Sequence, residues 1–84
     1  MKYFVYVLYN FNTRRFYIGY TTNLKRRLKE HQQAKLSHRN KDFKTIFVET
    51  FFNKEDAKRR ENYLKSSKGK STLRAMLKET MEII

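Results

Sequence analysis

The run Tyr3-Phe4-Val5-Tyr6-Val7-Leu8-Tyr9 is aromatic or aliphatic at every position. Alternate residues of a strand point to opposite faces, so a half-solvated strand alternates apolar with polar side chains. This run does not alternate, which predicts a strand covered on both faces at the centre of a sheet. In a chain of 84 residues that is a severe constraint. A chain this short hides only about 60–65% of the surface its unfolded form exposes, so one central strand, its neighbours and the helices upon them account for nearly all the core available.

The remaining elements arrange themselves around that strand. Asn10 to Arg15 is polar and predicts a turn into Phe16-Tyr17-Ile18-Gly19-Tyr20, a second strand antiparallel to the first. Thr22 or Asn23 can cap a helix running to about Ala34, because their side-chain oxygens accept from its unpaired first-turn amides. Leu24, Leu28 and His31 recur at helical spacing, and Arg27, four residues before His31, shares their inward edge. Lys25, Arg26, Lys29 and Glu30 fall largely outside. The apolar period is lost from Lys35 to Lys44, a basic loop with His38, Arg39 and Lys41, and Thr45 to Phe52 restores a strand. Asn53 is a cap for a second helix, with Asp56 in its first turn and Ala57, Glu61 and Leu64 on one face. Gly69 predicts a stop, after which Ser71 caps a last helix carrying Leu73, Met76, Leu77 and Met81. The expected fold class is α/β (α+β): a small three-stranded antiparallel or mixed sheet flanked by helices, in the order β-β-α-β-α-α. With no internal repeat and no Pro- or Ser-rich linker, residues 1–84 read as one domain.

Twenty Lys and Arg against eight Asp and Glu give a formal charge of +12 and a pI near 10.2. Such a field attracts phosphate backbones by steering and counterion release, which makes nucleic acid the leading partner class. Lys25, Arg26, Lys35, Arg39, Lys41 and Lys68 are the candidate backbone contacts. Charge alone fits a binder without chemistry equally well. The absence of cysteine excludes disulfides, thiolate metal sites and a thiol nucleophile. His31 and His38 stand seven apart without a third ligand nearby, so a histidine metal site is not expected. No apolar run approaches the roughly 18 residues of a membrane span, and the first nine residues are too short for a signal peptide, so the expectation is a cytoplasmic protein without a membrane partner.

Phosphodiester hydrolysis needs an activated water, stabilisation of charge on phosphorus and help for the leaving oxygen. Glu61 is the only acid on an apolar helix face, which favours one ion over two, since Mg²⁺ takes one or two carboxylates and fills its octahedron with water and phosphate. The plainer role for Glu61 is an ion pair with Lys65 four residues on, worth about 0.3–0.5 kcal/mol.

The ordered set Phe4-Val5-Tyr6, then Tyr17-Ile18-Gly19, Arg27 and His31 resembles the GIY-YIG nuclease family. The likeness runs from Tyr3 to about Lys70, and the segment Glu61-Asn62-Tyr63-Leu64-Lys65-Ser66 looks most like the small stand-alone bacterial members. The nuclease module of structure-specific branched-DNA endonucleases has a similar opening. The resemblance implies metal-dependent endonuclease chemistry on nucleic acid, DNA before RNA, with one Mg²⁺ or Mn²⁺ and DNA repair as a setting. By that resemblance Tyr6 is a general base or water-orienting phenol and Tyr17 its partner. Gly19 admits close backbone, Arg27 holds the scissile phosphate, His31 accepts or relays a proton, and Glu61 binds the metal. Phe4 replaces the glycine that names the first half-motif, and Ser66-Ser67-Lys68 stand where the family has a late asparagine. A phenol of pKa near 10 is costly to ionise at pH 7, by about 4 kcal/mol, so cations must lower it or His31 must take its proton. Two rival readings stand beside this one: a nucleic-acid-binding module of the same fold that does not cut, and a basic adaptor for an acidic protein or the ribosome. A protein partner supplying specificity is compatible with the first two.

Overall fold

The computed structural model describes residues 1–32 and 43–82. Strand β1 (Tyr3–Asn10) lies between β2 (Arg15–Thr21) and β3 (Phe43–Phe51), both antiparallel to it, in the order β2-β1-β3. The run that is apolar on both faces is therefore the central strand. Helix α1 (Leu24–Gln32) joins β2 towards β3, and α2 (Lys54–Lys65), α3 (Ser67–Met76) and the short α4 (Lys78–Glu82) follow β3. This is the expected three-stranded α+β architecture with one additional short helix at the end.

The pleat of β1 divides the molecule. Val5 and Val7, with Ile18 across the ladder, face Ala57 and Leu64 of α2, Leu73 of α3 and Leu77, forming the main core. Arg60 of α2 is tied over the same face by a two-pronged pair with Glu49 of β3, at 2.8 and 3.3 Å. Tyr6 and Leu8 point the other way, toward the side on which Arg27 and His31 of α1 meet Tyr6. Between Val7 and Leu8 the β1–β3 register skips one residue of β3, Ile46, so the bulge lies in the edge strand and the central strand keeps its alternation.

Local signals in the sequence explain the joints. The buried Asn10 carboxamide oxygen accepts from the amides of Asn12 and Thr13, at 2.8 and 3.0 Å, and so builds the β1–β2 turn. Arg14 closes that turn with φ of 60°, a left-handed conformation. Of the two candidate caps for α1, Asn23 does the work, its Oδ1 accepting from the Arg26 amide at 3.1 Å. Asn53 caps α2 as expected, accepting from the amides of Glu55 and Asp56.

Several expectations are corrected. Phe43 and Lys44 belong to β3 rather than to the basic loop, and Phe52, expected in the strand, lies beyond it and is exposed. Gly69 does not stop a helix, and Ser71 does not start one. The break falls at Ser66, whose side chain accepts from the Gly69 amide, so Gly69 sits in the first turn of α3. Glycine is required there for another reason: a Cβ would strike the Tyr63 carbonyl group and approach Leu64 Cα, both backbone of α2. The tight α2–α3 crossing, not a left-handed cap, is what that glycine serves. The expected last helix is divided at Leu77, and Met76 is half exposed while Leu73 and Leu77 are buried.

Candidate active site

Tyr6 is the centre of the second face. It is paired across the ladder with Gly19 on one side and Val48 on the other, and only 1% of it is exposed. Its phenol stays in reach of α1 because Gly19 has no side chain. A Cβ at Gly19 would fall 2.8 Å from Tyr6 Cε1 and closer still to Cζ and the hydroxyl. The motif glycine thus clears the space that the Tyr6 ring occupies.

Two side chains from α1 converge on the Tyr6 hydroxyl. His31 Nε2 lies 2.9 Å from it, and Arg27 donates to it from Nε at 3.3 Å. Arg27 can only donate, and in the tautomer of His31 that carries its proton on Nδ1 the phenolic hydroxyl donates to Nε2. Tyr17, paired with Leu8 in β2, sets its ring 5.0 Å from the His31 ring and 6.4 Å from that of Tyr6. It is half exposed, so the cluster opens to solvent on its side.

Charge and burial act on these groups in opposite senses. Burial pushes the Tyr6 phenol above its ordinary value; Arg27 opposes this by hydrogen bond and charge, while Tyr17 and the charge of Glu61 reinforce it. Burial, followed by the charge of Arg27, pushes His31 below its ordinary value. Arg27 is held even more firmly protonated by its bond to Tyr6. At neutral pH the resting cluster is a neutral phenol bonded to a neutral imidazole beside a permanent cation.

Glu30, placed on the outer side of α1 by its spacing, has a role that the sequence reading missed. Its carboxylate takes Arg27 Nη1 at 3.3 Å and approaches Arg26 Nε at 3.7 Å, anchoring the guanidinium from the solvent side. The i,i+3 and i,i+4 spacings were the available signal. Lys25 and Arg26 are exposed on α1, and Lys68 is exposed in the first turn of α3. Lys35, Arg39 and Lys41 lie outside the described residues, as does His38. Tyr20 stacks on Tyr3 with Lys58 over its ring, on the core face rather than in the site.

Glu61 projects from α2 with a side chain only 13% exposed and pairs with Lys65 at 3.0 Å. Among the described residues no three acids, histidines or cysteines gather into a ready metal cage. The donor set fits a hard ion bound largely by water and phosphate with one protein carboxylate, close enough to Tyr6 for its charge to be felt there.

The GIY-YIG catalytic domain model matches residues 2–74. The chain belongs to the GIY-YIG family. That match takes in Tyr6, Tyr17, Gly19, Arg27, His31 and Glu61, and the GIY-YIG domain is a nuclease fold. A UPF0213 protein from Bacillus halodurans, known from a solution NMR structure, is 32% identical to this GIY-YIG chain with a TM-score of 0.58, over 90% of this chain and 85% of that one. No curated protein matches the chain.

Proposed function

We propose that the chain is a metal-dependent endonuclease that hydrolyses phosphodiester bonds in nucleic acid, DNA in preference to RNA. The observation that carries this reading is the bonded set His31–Tyr6–Arg27, a proton acceptor, a hydroxyl and a phosphate-seeking cation joined at one oxygen. In this reading Arg27 receives the scissile phosphate through the donors that Tyr6 and Glu30 leave free, countering charge that develops on phosphorus. The hydroxyls of Tyr6 and Tyr17 orient the attacking water.

The raised pKa of Tyr6 supports a relay over a free phenolate. A free phenolate at pH 7 lies uphill by about 4 kcal/mol or more, so Tyr6 acts as a relay: it takes the proton of water as it passes its own to Nε2 of His31. The water oxygen bonds to phosphorus, the bond to the leaving oxygen breaks with its electron pair going to that oxygen as an alkoxide, which takes a proton from solvent, and His31 ends the step protonated. Glu61 is the residue that would hold one Mg²⁺ or Mn²⁺, which when bound supplies Lewis-acid stabilisation of the phosphoryl charge. Lys25, Arg26, Lys35, Arg39, Lys41 and Lys68 are the proposed backbone contacts, and a protein partner is the proposed source of added specificity.

The test is incubation with end-labelled single-stranded, duplex and branched DNA and matching RNA, in Mg²⁺, Mn²⁺ or EDTA. Glu61→Ala and Tyr6→Phe proteins serve as controls. Metal-dependent products lost in both variants are expected. Tight salt-sensitive binding with no product on any substrate would instead establish the non-cutting module.

A further inference from the structure

Glu61 and Lys65 form an asymmetric pair. The carboxylate is nearly buried, with 13% of its side chain exposed, whereas the lysine side chain is 52% exposed, and Nζ reaches Oε2 at 3.0 Å. Lys65 is the only ion-pair partner of Glu61 among the described residues. The acid is therefore fixed by the fold of α2 while its counter-ion stands on a long arm at the surface, in the last turn of that helix. A cation that takes Glu61 Oε2 competes with that ammonium for it. Lys65 is also near Lys68 in sequence, at the exposed start of α3, where a polyanion would meet both.

We propose that Lys65 is an exchangeable counter-ion that keeps Glu61 closed to metal until a nucleic-acid phosphate draws the ammonium away. The inference rests on the reading of Glu61 as the metal-holding carboxylate. Metal and nucleic acid must each separate the same ion pair, so whichever binds first spares the other that cost. The two affinities are then coupled, and by linkage each ligand raises the affinity of the other by the same factor. Lys65 is a positioning residue in this scheme, acting through Glu61. The arrangement also keeps a strongly basic protein from presenting an unpaired, nearly buried carboxylate in the absence of substrate.

Mn²⁺ binding to the free protein, followed by the electron paramagnetic resonance signal of the unbound ion, tests this without any turnover. Lys65→Met is expected to tighten Mn²⁺ by roughly fivefold or more, as removal of one adjacent unit charge on a half-exposed side chain implies. Lys65→Arg is expected to keep the native affinity, and Lys68→Met, which removes an equal charge without touching Glu61, to change it less than twofold. In a Tyr6→Phe background, Mn²⁺ should strengthen the anisotropy-measured binding of a single-stranded oligodeoxynucleotide, and Lys65→Met should remove most of that gain. Unchanged Mn²⁺ affinity in Lys65→Met, or an equal gain in Lys68→Met, would overturn the proposal. If Glu61→Ala binds Mn²⁺ as the native protein does, Glu61 is not the ligand, and the underlying reading fails along with the counter-ion role.

Discussion

Replacing Gly19 by Ala tests the geometry of the site without touching a reactive group. The added Cβ would lie 2.8 Å from Tyr6 Cε1 and nearer to Cζ and the hydroxyl, where carbon atoms settle at about 3.5–4.0 Å. Roughly 1 Å of overlap must be relieved. The Tyr6 ring cannot swing away freely, because it is almost wholly buried beside Val48 and bonded to His31 and Arg27. Overpacking of this kind costs about 1–3 kcal/mol. At about 4–8 °C per kcal/mol for a domain of this size, the midpoint temperature should fall by roughly 8–16 °C for a cost near 2 kcal/mol. Any relief that comes from moving the ring lengthens the 2.9 Å bond to His31, so cleavage should fall further than stability. Thermal unfolding followed by circular dichroism gives the first quantity. A cycle with Tyr6→Leu, which removes the obstructing ring, should return a coupling of at least about 1 kcal/mol between the two positions. A Gly19→Ala protein that melts within about 2 °C of the native one, well inside the range expected for a mild surface change, would refute the proposed contact.

Because His31 is held below its ordinary value, its imidazole C–H resonances should titrate below pH 6.5 and the acid limb of kcat/KM should follow them; an acid limb centred above pH 7 would remove His31 as the acceptor. The same shift makes the His31 contribution to stability complete above pH 6.5. It is lost as pH falls through the lowered folded-state value, since the unfolded chain takes up the proton first, and denaturant melts between pH 7 and 5 should show the decline. Gly69→Ala drives a methyl into the backbone of Tyr63 and Leu64, which cannot turn aside as a side chain can. It should cost about 2 kcal/mol or more, read as a lowered denaturant midpoint. Arg27→Lys retains the charge but loses the planar fork shared between Tyr6 and Glu30, whose free donors the proposed reading offers to phosphate. It should lower kcat at least tenfold with little change in the salt dependence of binding, whereas equal activity would reduce Arg27 to a general cation.

The sheet was legible because β1 is so poor in polar residues that only a central position accommodates it, and because each of its neighbours carries its own turn or cap, at Asn10, Asn23 and Asn53. What failed was the reading of Gly69. A glycine after Ser66-Ser67-Lys68 satisfies the local rule for a helix stop, but the rule sees only backbone freedom. Gly69 has no positive φ to accommodate; it is there for a neighbour, the carbonyl of Tyr63 one helix back, and close approach between helices leaves no mark in local sequence. Glu30 was passed over for a related reason. Its exposed position argues for a solvated face, and only the direction taken by the Arg27 side chain makes it a support for the site.

Tyr6 resolves a tension that the sequence states without settling. A residue in the middle of the central strand should be core, while a residue that handles a proton should be reachable. The ring is buried between the outer strands, and it is through the half-exposed neighbours of its hydroxyl, Arg27 and His31, that Tyr6 is connected to the surface. Burial removes water that would compete for the phenol and raises the cost of ionising it, so the proton must have somewhere else to go. In the proposed reading the neutral His31 nitrogen at 2.9 Å is that place. In the proposed reading the same burial that makes Tyr6 a poor base on its own makes the Tyr6–His31 pair the base, and Gly19, with no chemistry of its own, serves it from the end of the second half-motif by leaving the space that the Tyr6 ring fills.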